Sequence, residues 1–215
     1  FVPYAVNVEA AEASESVKPY LHLAENLGRI FAGLCGQCSA SIDIEYQGDL
    51  ANHDTRILTL SVLKGFFSVV TGEPVSYVNA PQIADEQGLE VRPTSTTTAR
   101  DFVNLISIRN EEHSIAGTLV GLKGAETLVM IDDHAIDVPP SEHLLVIRNS
   151  DRPGMIGRIT SALGDAEINI SDMAVGASPE GERALMAIGT DQVVAAEVVE
   201  RLRAFDGVVS VASIS

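Results

Sequence analysis

Residues 143–157 read HLLVIRNSDRPGMIG and contain the clearest secondary-structure signals in the C-terminal part of the chain. The apolar run 143–148 is typical of a buried strand, and the polar segment 149–154 leads into a helix. A proline in the first helical turn and an acidic residue just before it are common where helices begin. The stretch therefore predicts a strand, a tight loop and a helix in direct succession.

The residues that follow complete a recognisable order of elements. A glycine at position 164 ends the helix, and the pattern continues as strand 168–175, turn 178–181, strand 183–189, helix 193–205 and strand 208–213. This βαββαβ order predicts a ferredoxin-like α+β domain with both helices on one face of the sheet. Many unrelated functions use that topology, so the topology alone does not indicate a function.

The residues before position 139 predict a second α+β domain with a largely antiparallel sheet. Apolar residues recur at helical spacing in segments 16–34, 52–70 and 80–87. Alternating or β-branched residues predict strands 41–47, 102–109, 113–122, 126–131 and 135–138. Residues 89–93 are predicted as extended and residues 94–98 as a polar loop. Short polar turns join the last four strands, which favours an antiparallel meander.

The best candidate for a domain boundary is Pro139-Pro140-Ser141, where every periodicity stops. We therefore expect residues 1–139 to form one domain and residues 140–215 to form the other. The opening Phe1-Val2-Pro3 has no initiator methionine and no helix-capping signal. We expect the sequence to be a piece of a longer protein.

Composition and charge exclude several classes of partner. Hydrophobic residues make up 46% and charged residues 20% of the chain, which is typical of a globular protein. The 30 acidic and 14 basic residues give a formal net charge of -16. Nucleic acid and anionic membranes need a basic surface, so neither is an expected partner. No apolar run is long enough to span a bilayer, and we expect a cytoplasmic location.

The cysteines and histidines do not predict a metal site. Cys35 and Cys38 form a Cys-Gly-Gln-Cys motif, which fits a redox pair or half of a zinc site. Zinc needs two further ligands at compatible spacing, and none follows, so we interpret both as small residues at a helix end. The histidines at positions 22, 53, 113, 134 and 143 lack a paired spacing, and we interpret them as ordinary surface or edge residues.

The 149–154 loop resembles a known ligand-binding motif. Asn-x-Asp-x-Pro-Gly followed by Met-Ile-Gly, with Glu-Ile-Asn-Ile at 167–170, resembles the ACT domain family of amino-acid sensors over residues 142–215. A free amino acid needs an acceptor for its ammonium group and N–H donors for its carboxylate. Asp151 is a candidate acceptor, the helix N-terminus favours an anion, and Gly154 leaves room for close approach.

Two asparagines complete the candidate site, because the amides of Asn149 and Asn169 can both donate and accept hydrogen bonds. The simpler interpretation is that Asp151 caps the helix, Pro153 starts it and the asparagines fill turns. The residues taken together favour a ligand site.

The upstream sequence is similar to the C-terminal half of long-form D-3-phosphoglycerate dehydrogenase. The resemblance rests on FVPxAVNV at 1–8, LGRIF at 27–31, LKGFF at 63–67 and YVNAP at 77–81. It implies a tail of the substrate domain, an intervening allosteric substrate-binding domain and a terminal ACT domain. It also implies self-association through the ACT domain as a dimer or tetramer, with L-serine bound between two subunits by positions matching Asn149, Asp151 and Asn169.

The resemblance further implies that L-serine inhibits the parent enzyme, which oxidises 3-phosphoglycerate with NAD in the first step of serine biosynthesis. The catalytic residues of that family belong to upstream domains, and none maps onto this sequence. No Gly-x-Gly-x-x-Gly follows a strand here, so we expect no cofactor site within this chain.

In relatives, the intervening domain can hold a second anion site built partly from basic residues near its last strands. Here residues 127–139 contain Asp132, Asp133 and His134 but no arginine. Arg100, Arg109 and Lys123 remain candidates for an anion site, and ordinary solvated charge is the alternative.

Two other functions stay open at this point. L-serine dehydratases also combine an allosteric substrate-binding domain with an ACT domain, although this chain has only two cysteines for an iron-sulfur cluster. The chain could instead be a structural oligomerisation unit whose ACT pocket is empty.

Overall fold

The computed structural model describes residues 15–36, 40–71, 74–99, 101–177 and 183–215. The chain divides into two compact units, Phe1–Thr127 and Leu128–Ser215. The boundary expected after Pro139 lies further along the chain than this division and stays a prediction. Cys38, Arg100 and the turn expected at 178–181 lie outside the described residues.

The first unit contains three helices, α1 (Leu21–Cys35), α2 (Arg56–Val70) and α3 (Ala80–Gln87). Helices α1 and α2 pack at very close range. A Cβ atom on Gly28 would lie 2.0 Å from the Val62 carbonyl oxygen, and one on Gly65 would lie 1.9 Å from the Glu25 carbonyl oxygen. Only glycine fits at these two positions, which explains why both helices carry one in an apolar face.

The first sheet contains β1 (Ser41–Gly48), β2 (Glu90–Thr96), β3 (Asn104–Arg109), β4 (Ser114–Val120), β5 (Ala125–Ile131) and β6 (His134–Val138). Its strand order is β2-β1-β3-β4-β5-β6. Strand β1 pairs with β2 in parallel and with β3 in antiparallel orientation, and β3–β4 and β5–β6 are antiparallel. The expected largely antiparallel sheet is therefore confirmed.

One local prediction was wrong. Residues 94–96, expected in a polar loop, belong to β2 because β1 pairs with them, for example Tyr46 with Ser95. Strand β2 lies at the sheet edge, where Pro93 can be accommodated without breaking a central ladder.

Burial alternates along β1, so Ile42, Ile44 and Tyr46 lie in the core of the first unit. The fully buried Tyr46 hydroxyl lies 2.8 Å from Thr59 Oγ1 on α2. This hydrogen bond satisfies two polar groups inside an apolar environment and ties the sheet to the helical layer.

The second unit contains β7 (His143–Ser150), α4 (Met155–Asp165), β8 (Ile170–Ala177), β9 (Arg183–Thr190), α5 (Ala196–Arg203) and β10 (Val208–Ile214). These strands form an antiparallel sheet in the order β10-β7-β9-β8. The ferredoxin-like prediction is thus confirmed, although α5 begins at Ala196 rather than at the expected Val193.

A single apolar core holds this unit together. Leu145 and Ile147 of β7 pack with Ile159 and Leu163 of α4 and with Leu202 of α5, and all five are fully buried. Because side chains alternate along a strand, Asn149 points to the same face as Leu145 and Ile147. The core therefore places Asn149 beneath the start of α4.

Candidate functional site

The 149–154 loop and the first turn of α4 border a cavity of about 280 Å³. Asn149, Asp151 and Gly154, three of the residues expected at the ligand site, line it together. Val175 of β8 and Met186 of β9 contribute apolar surface on the opposite side. The structure thus brings these three predicted residues to one place, in a cavity with both polar and apolar lining.

Asn149 carries the clearest sign of an incomplete polar environment. The residue is only 3% exposed, and its Nδ2 donates to the Ser150 carbonyl oxygen at 2.9 Å. Its buried Oδ1 meets no hydrogen-bond donor among the residues that the structure describes. A buried acceptor without a partner costs about 1–3 kcal/mol, so this oxygen lowers the stability of the folded chain.

The N-terminus of α4 supplies the opposite polarity. Gly154 is the N-cap with φ 90°, and no side chain of the described residues caps the helix there. The Arg158 N–H donates to the Gly154 carbonyl oxygen at 3.1 Å, and the Met155 N–H donates to the Arg152 carbonyl oxygen at 3.3 Å. The N–H groups of Ile156 and Gly157 have no acceptor in the helical ladder. These donors and the helix dipole favour an anion, and the exposed Asp151 carboxylate lies at the rim to meet a cation.

Arg152, which the sequence did not single out, holds the shape of the loop. Its Nε donates to Ser150 Oγ at 2.9 Å, and its Nη2 lies 3.2 Å from Asp206 Oδ2 in the turn before β10. The guanidinium therefore ties the loop to the turn that precedes β10. The partner Asp206 lies far along the chain, so no local sequence signal could have revealed this role.

On the other face of β7, Arg148 pairs with the carboxylate of Asp132. Burial lowers the pKa of the Arg148 guanidinium. His134 is buried in the edge strand β6, and its Nδ1 lies 2.6 Å from the Asp132 carbonyl oxygen. The Arg148–Asp132 pair holds β7 on the face opposite the one that carries Asn149.

Asn169, the fourth predicted residue, does not reach this cavity within one chain. It is exposed just before β8, where Ile170 pairs with Thr190 of β9, whereas Asn149 pairs with Ala184. At about 3.4 Å per residue, the stretch of β9 from Ala184 to Thr190 spans about 20 Å. Asn169 and Asn149 therefore occupy opposite ends of the sheet.

The candidate anion residues are also separated. Arg109 pairs with Ser114 at one end of β4 and lies 3.7 Å from Asp43 Oδ2, while Lys123 is exposed beyond the other end of β4. Arg92, which the sequence did not single out, also contacts Asp43, at 3.0 Å. Arg109 and Lys123 do not converge on one site, and the anion site stays a prediction from the sequence.

Within the described part of the chain, no cluster of three or more His, Cys, Asp and Glu residues could hold a metal ion. Cys35 accepts a hydrogen bond from Asn110 Nδ2 at 3.4 Å. The helices that are described are all too short or too polar to cross a membrane.

Comparison with known families agrees with this architecture. The family model of the D-3-phosphoglycerate dehydrogenase intervening domain matches residues 16–132, and that of the ACT domain matches residues 143–207. Together they cover both units, and the resemblance noted in the sequence is confirmed.

Individual relatives match over most of this chain. The D-3-phosphoglycerate dehydrogenase of Mycobacterium leprae (strain TN) is 34% identical over 203 residues, which cover 92% of this chain and 38% of that protein. The D-3-phosphoglycerate dehydrogenase of Synechocystis sp. is 34% identical over 194 residues, which cover 87% of this chain and 35% of that protein.

Among solved structures, the crystal structure of the ACT domain from GTP pyrophosphokinase of Chlorobium tepidum covers 34% of this chain at 19% identity and a TM-score of 0.26.

The chain therefore spans 38% of the length of the Mycobacterium leprae relative and 35% of the Synechocystis relative. The matched residues contain the two regulatory modules, with no catalytic domain evident among them. This chain belongs to the D-3-phosphoglycerate dehydrogenase intervening-domain family and carries an ACT domain after that module.

Proposed function

We propose that this chain is the regulatory part of a D-3-phosphoglycerate dehydrogenase and that its ACT domain binds L-serine for feedback inhibition. The observation that carries the proposal is the buried Asn149 Oδ1, an acceptor that meets no donor among the described residues and lies at the wall of a cavity beside a helix N-terminus. The parent enzyme would catalyse the NAD-dependent oxidation of 3-phosphoglycerate in its other domains, and serine would be the pathway product that returns to this site.

The chemistry of the cavity fits a small zwitterion. Asn149 Oδ1 and the Asp151 carboxylate are acceptors for an ammonium group. The N–H groups of Ile156 and Gly157 in the first turn of α4 are donors for a carboxylate. Gly154 has no side chain to cover those N–H groups. Val175 and Met186 add apolar surface to the cavity, and covering Val175 in an assembly would strengthen these polar contacts.

A second copy of the chain supplies the missing asparagine. Strand β8 lies at the open edge of its sheet, so two copies can pair β8 with β8 in antiparallel orientation about a two-fold axis. That arrangement brings Asn169 of the partner subunit to the Val175 end of β8, beside the cavity. Ile156, Met173 and Val175 are 45%, 42% and 43% exposed around this edge and would be covered by the partner.

Serine would then inhibit the enzyme by changing the arrangement of its subunits. A ligand that touches two chains favours whichever arrangement it binds better, and that preference shifts the population of the whole assembly. X-ray scattering with and without saturating serine tests this step. Identical profiles would contradict a rigid-body change between subunits.

Two alternatives remain distinguishable by experiment. The family match to dehydrogenases favours that parent over an L-serine dehydratase. A structural oligomerisation unit with an empty pocket has no use for an unpaired buried acceptor at Asn149, which favours the sensor.

Isothermal titration of L-serine into the chain tests the proposal directly. We expect one serine per chain, and we expect Asp151→Ala to weaken binding about tenfold to a hundredfold because a hydrogen bond to a charged group is lost. Asp137→Ala, which removes an exposed carboxylate from β6, is the matched control and should bind like the unmodified chain. A dimeric unmodified chain that gives no heat with serine would refute the sensor.

A further inference from the structure

The short connection between α4 and β8 is held in a defined conformation. Glu167 has a left-handed φ of 58°, which non-glycine residues rarely adopt. The Glu167 N–H donates to the Gly164 carbonyl oxygen at 3.0 Å, and the Ile168 N–H donates to the Leu163 carbonyl oxygen at 3.0 Å. This is the bonding pattern of a Schellman helix end, and it fixes the backbone up to Asn169.

Asp191, the first residue after β9, engages both backbone groups of Asn169. Its Oδ1 accepts from the Asn169 N–H at 3.0 Å, and its own N–H donates to the Asn169 carbonyl oxygen at 3.1 Å. The next residue adds a contact, because Gln192 Nε2 donates to the Glu167 carbonyl oxygen at 3.1 Å. Hydrogen bonds from the two residues after β9 therefore hold the connection between α4 and β8 in place.

These hydrogen bonds engage only the backbone of Asn169 and leave its side chain available to a ligand. The residue is exposed, and its side-chain amide makes no hydrogen bond to any residue that the structure describes. An exposed amide on a fixed backbone needs little further ordering when it meets a ligand, so less conformational entropy opposes binding.

We propose that Asp191 is a positioning residue of the effector site, and that its carboxylate holds Asn169 in the orientation in which its amide meets serine bound to the partner subunit. This inference rests on the proposed function and deepens it. Asp191 does not touch the ligand, so its whole effect on affinity passes through Asn169.

Three substitutions in the full chain separate the hydrogen bond from the charge. Asp191→Ala removes the acceptor for the Asn169 N–H and should weaken serine binding at least tenfold. Asp191→Asn keeps a side-chain oxygen at that position and should bind serine within about threefold of the unmodified chain. The control Asp165→Ala removes an exposed carboxylate that pairs with Arg201 near the same helix end and should leave serine affinity unchanged.

A double substitution tests whether Asp191 acts through Asn169. If it does, the chain with both Asp191→Ala and Asn169→Ala binds serine no more weakly than the chain with Asn169→Ala alone. Amide hydrogen exchange of the ligand-free chain gives a readout that is independent of binding. The Asn169 N–H should exchange at least tenfold faster in Asp191→Ala and at the unmodified rate in Asp191→Asn.

The possible negative results distinguish the role of Asp191 from the proposed serine binding. If the unmodified chain binds serine and Asp191→Ala binds it equally well, the role of Asp191 is refuted and the proposed function stands. Additive losses in the double variant, or an Asp191→Asn variant as weak as Asp191→Ala, also refute the positioning role. If the unmodified chain binds no serine, both proposals fall together.

Discussion

Asn149 and Asn169 lie at opposite ends of the second sheet, because β9 pairs Asn149 with Ala184 and pairs Ile170, the neighbour of Asn169, with Thr190. The two predicted halves of the proposed effector site therefore cannot meet within one chain. Two chains related by a two-fold axis at β8 would complete two equivalent sites. The sheet topology thus makes self-association a requirement for the proposed serine binding.

Replacing Asn149 with leucine should separate ligand binding from stability. The exchange removes the buried Oδ1 that meets no donor among the described residues, and the Ser150 carbonyl oxygen still accepts from the Arg152 N–H at 2.9 Å. We expect the ligand-free variant to be as stable as the unmodified chain or up to about 2 kcal/mol more stable, and serine binding to fall at least tenfold. Urea unfolding and calorimetry measure the two effects, and unchanged serine affinity would contradict the role of Asn149.

The backbone at Gly154 gives a second prediction. Gly154 has φ 90°, and a Cβ atom there would contact no described residue within 4 Å, so Gly154→Ala should suffer the conformational cost of about 1–2 kcal/mol. A Cβ atom on Gly157 would likewise meet no described neighbour, but Gly157 lies within α4, so Gly157→Ala should stabilise the chain by about 0.5–1 kcal/mol. Urea unfolding compares the two variants. Equal stabilities would mean that the loop does not adopt the left-handed conformation.

Tyr46 should make the stability of the chain sensitive to alkaline pH. Burial raises the pKa of the phenol above its ordinary value of 10.0, although the hydrogen bond to Thr59 lowers it in part. Above that ordinary value the unfolded chain releases the proton and the folded chain keeps it, so stability is present below pH 10 and falls as pH rises, by about 1.4 kcal/mol per pH unit.

Tyr46→Phe should remove this part of the pH dependence and cost about 1 kcal/mol at neutral pH, because Thr59 loses its partner. The measurement is the free energy of unfolding in urea at a series of pH values from about 8 to 11. The two proteins should converge as pH rises. Parallel curves would show that Tyr46 is not buried as described.

Much of the fold could be predicted because it follows from local patterns. Helix α3 has the expected bounds 80–87, and α2 differs only at its start, where Asp49–Asn52 forms a 3-10 turn before Arg56. Amphipathic spacing is a property of neighbouring residues, so it can be recognised without knowing how the rest of the chain packs. The parallel pairing of β1 with β2 was not predictable, because it depends on packing between residues far apart in sequence.

The residues of the candidate site also differ in whether local sequence could predict their positions. Asn149, Asp151 and Gly154 share one loop, so their proximity followed from the motif itself. The position of Asn169 depends on the strand order, which periodicity does not reveal. Asp191 is 22 residues away from Asn169 along the chain and looks like any exposed acidic residue in the sequence.

Mixed assemblies of two defective chains show whether each serine site is shared between two chains. Asp151→Ala and Asn169→Ala should each bind serine weakly, since each removes one half of every site. After the two are unfolded, mixed in equal amounts and refolded, random pairing gives about one site in four with both halves intact. Calorimetry should then recover serine binding of unmodified affinity at about that fraction of sites, and a mixture that binds no better than its two components would contradict a site shared between chains.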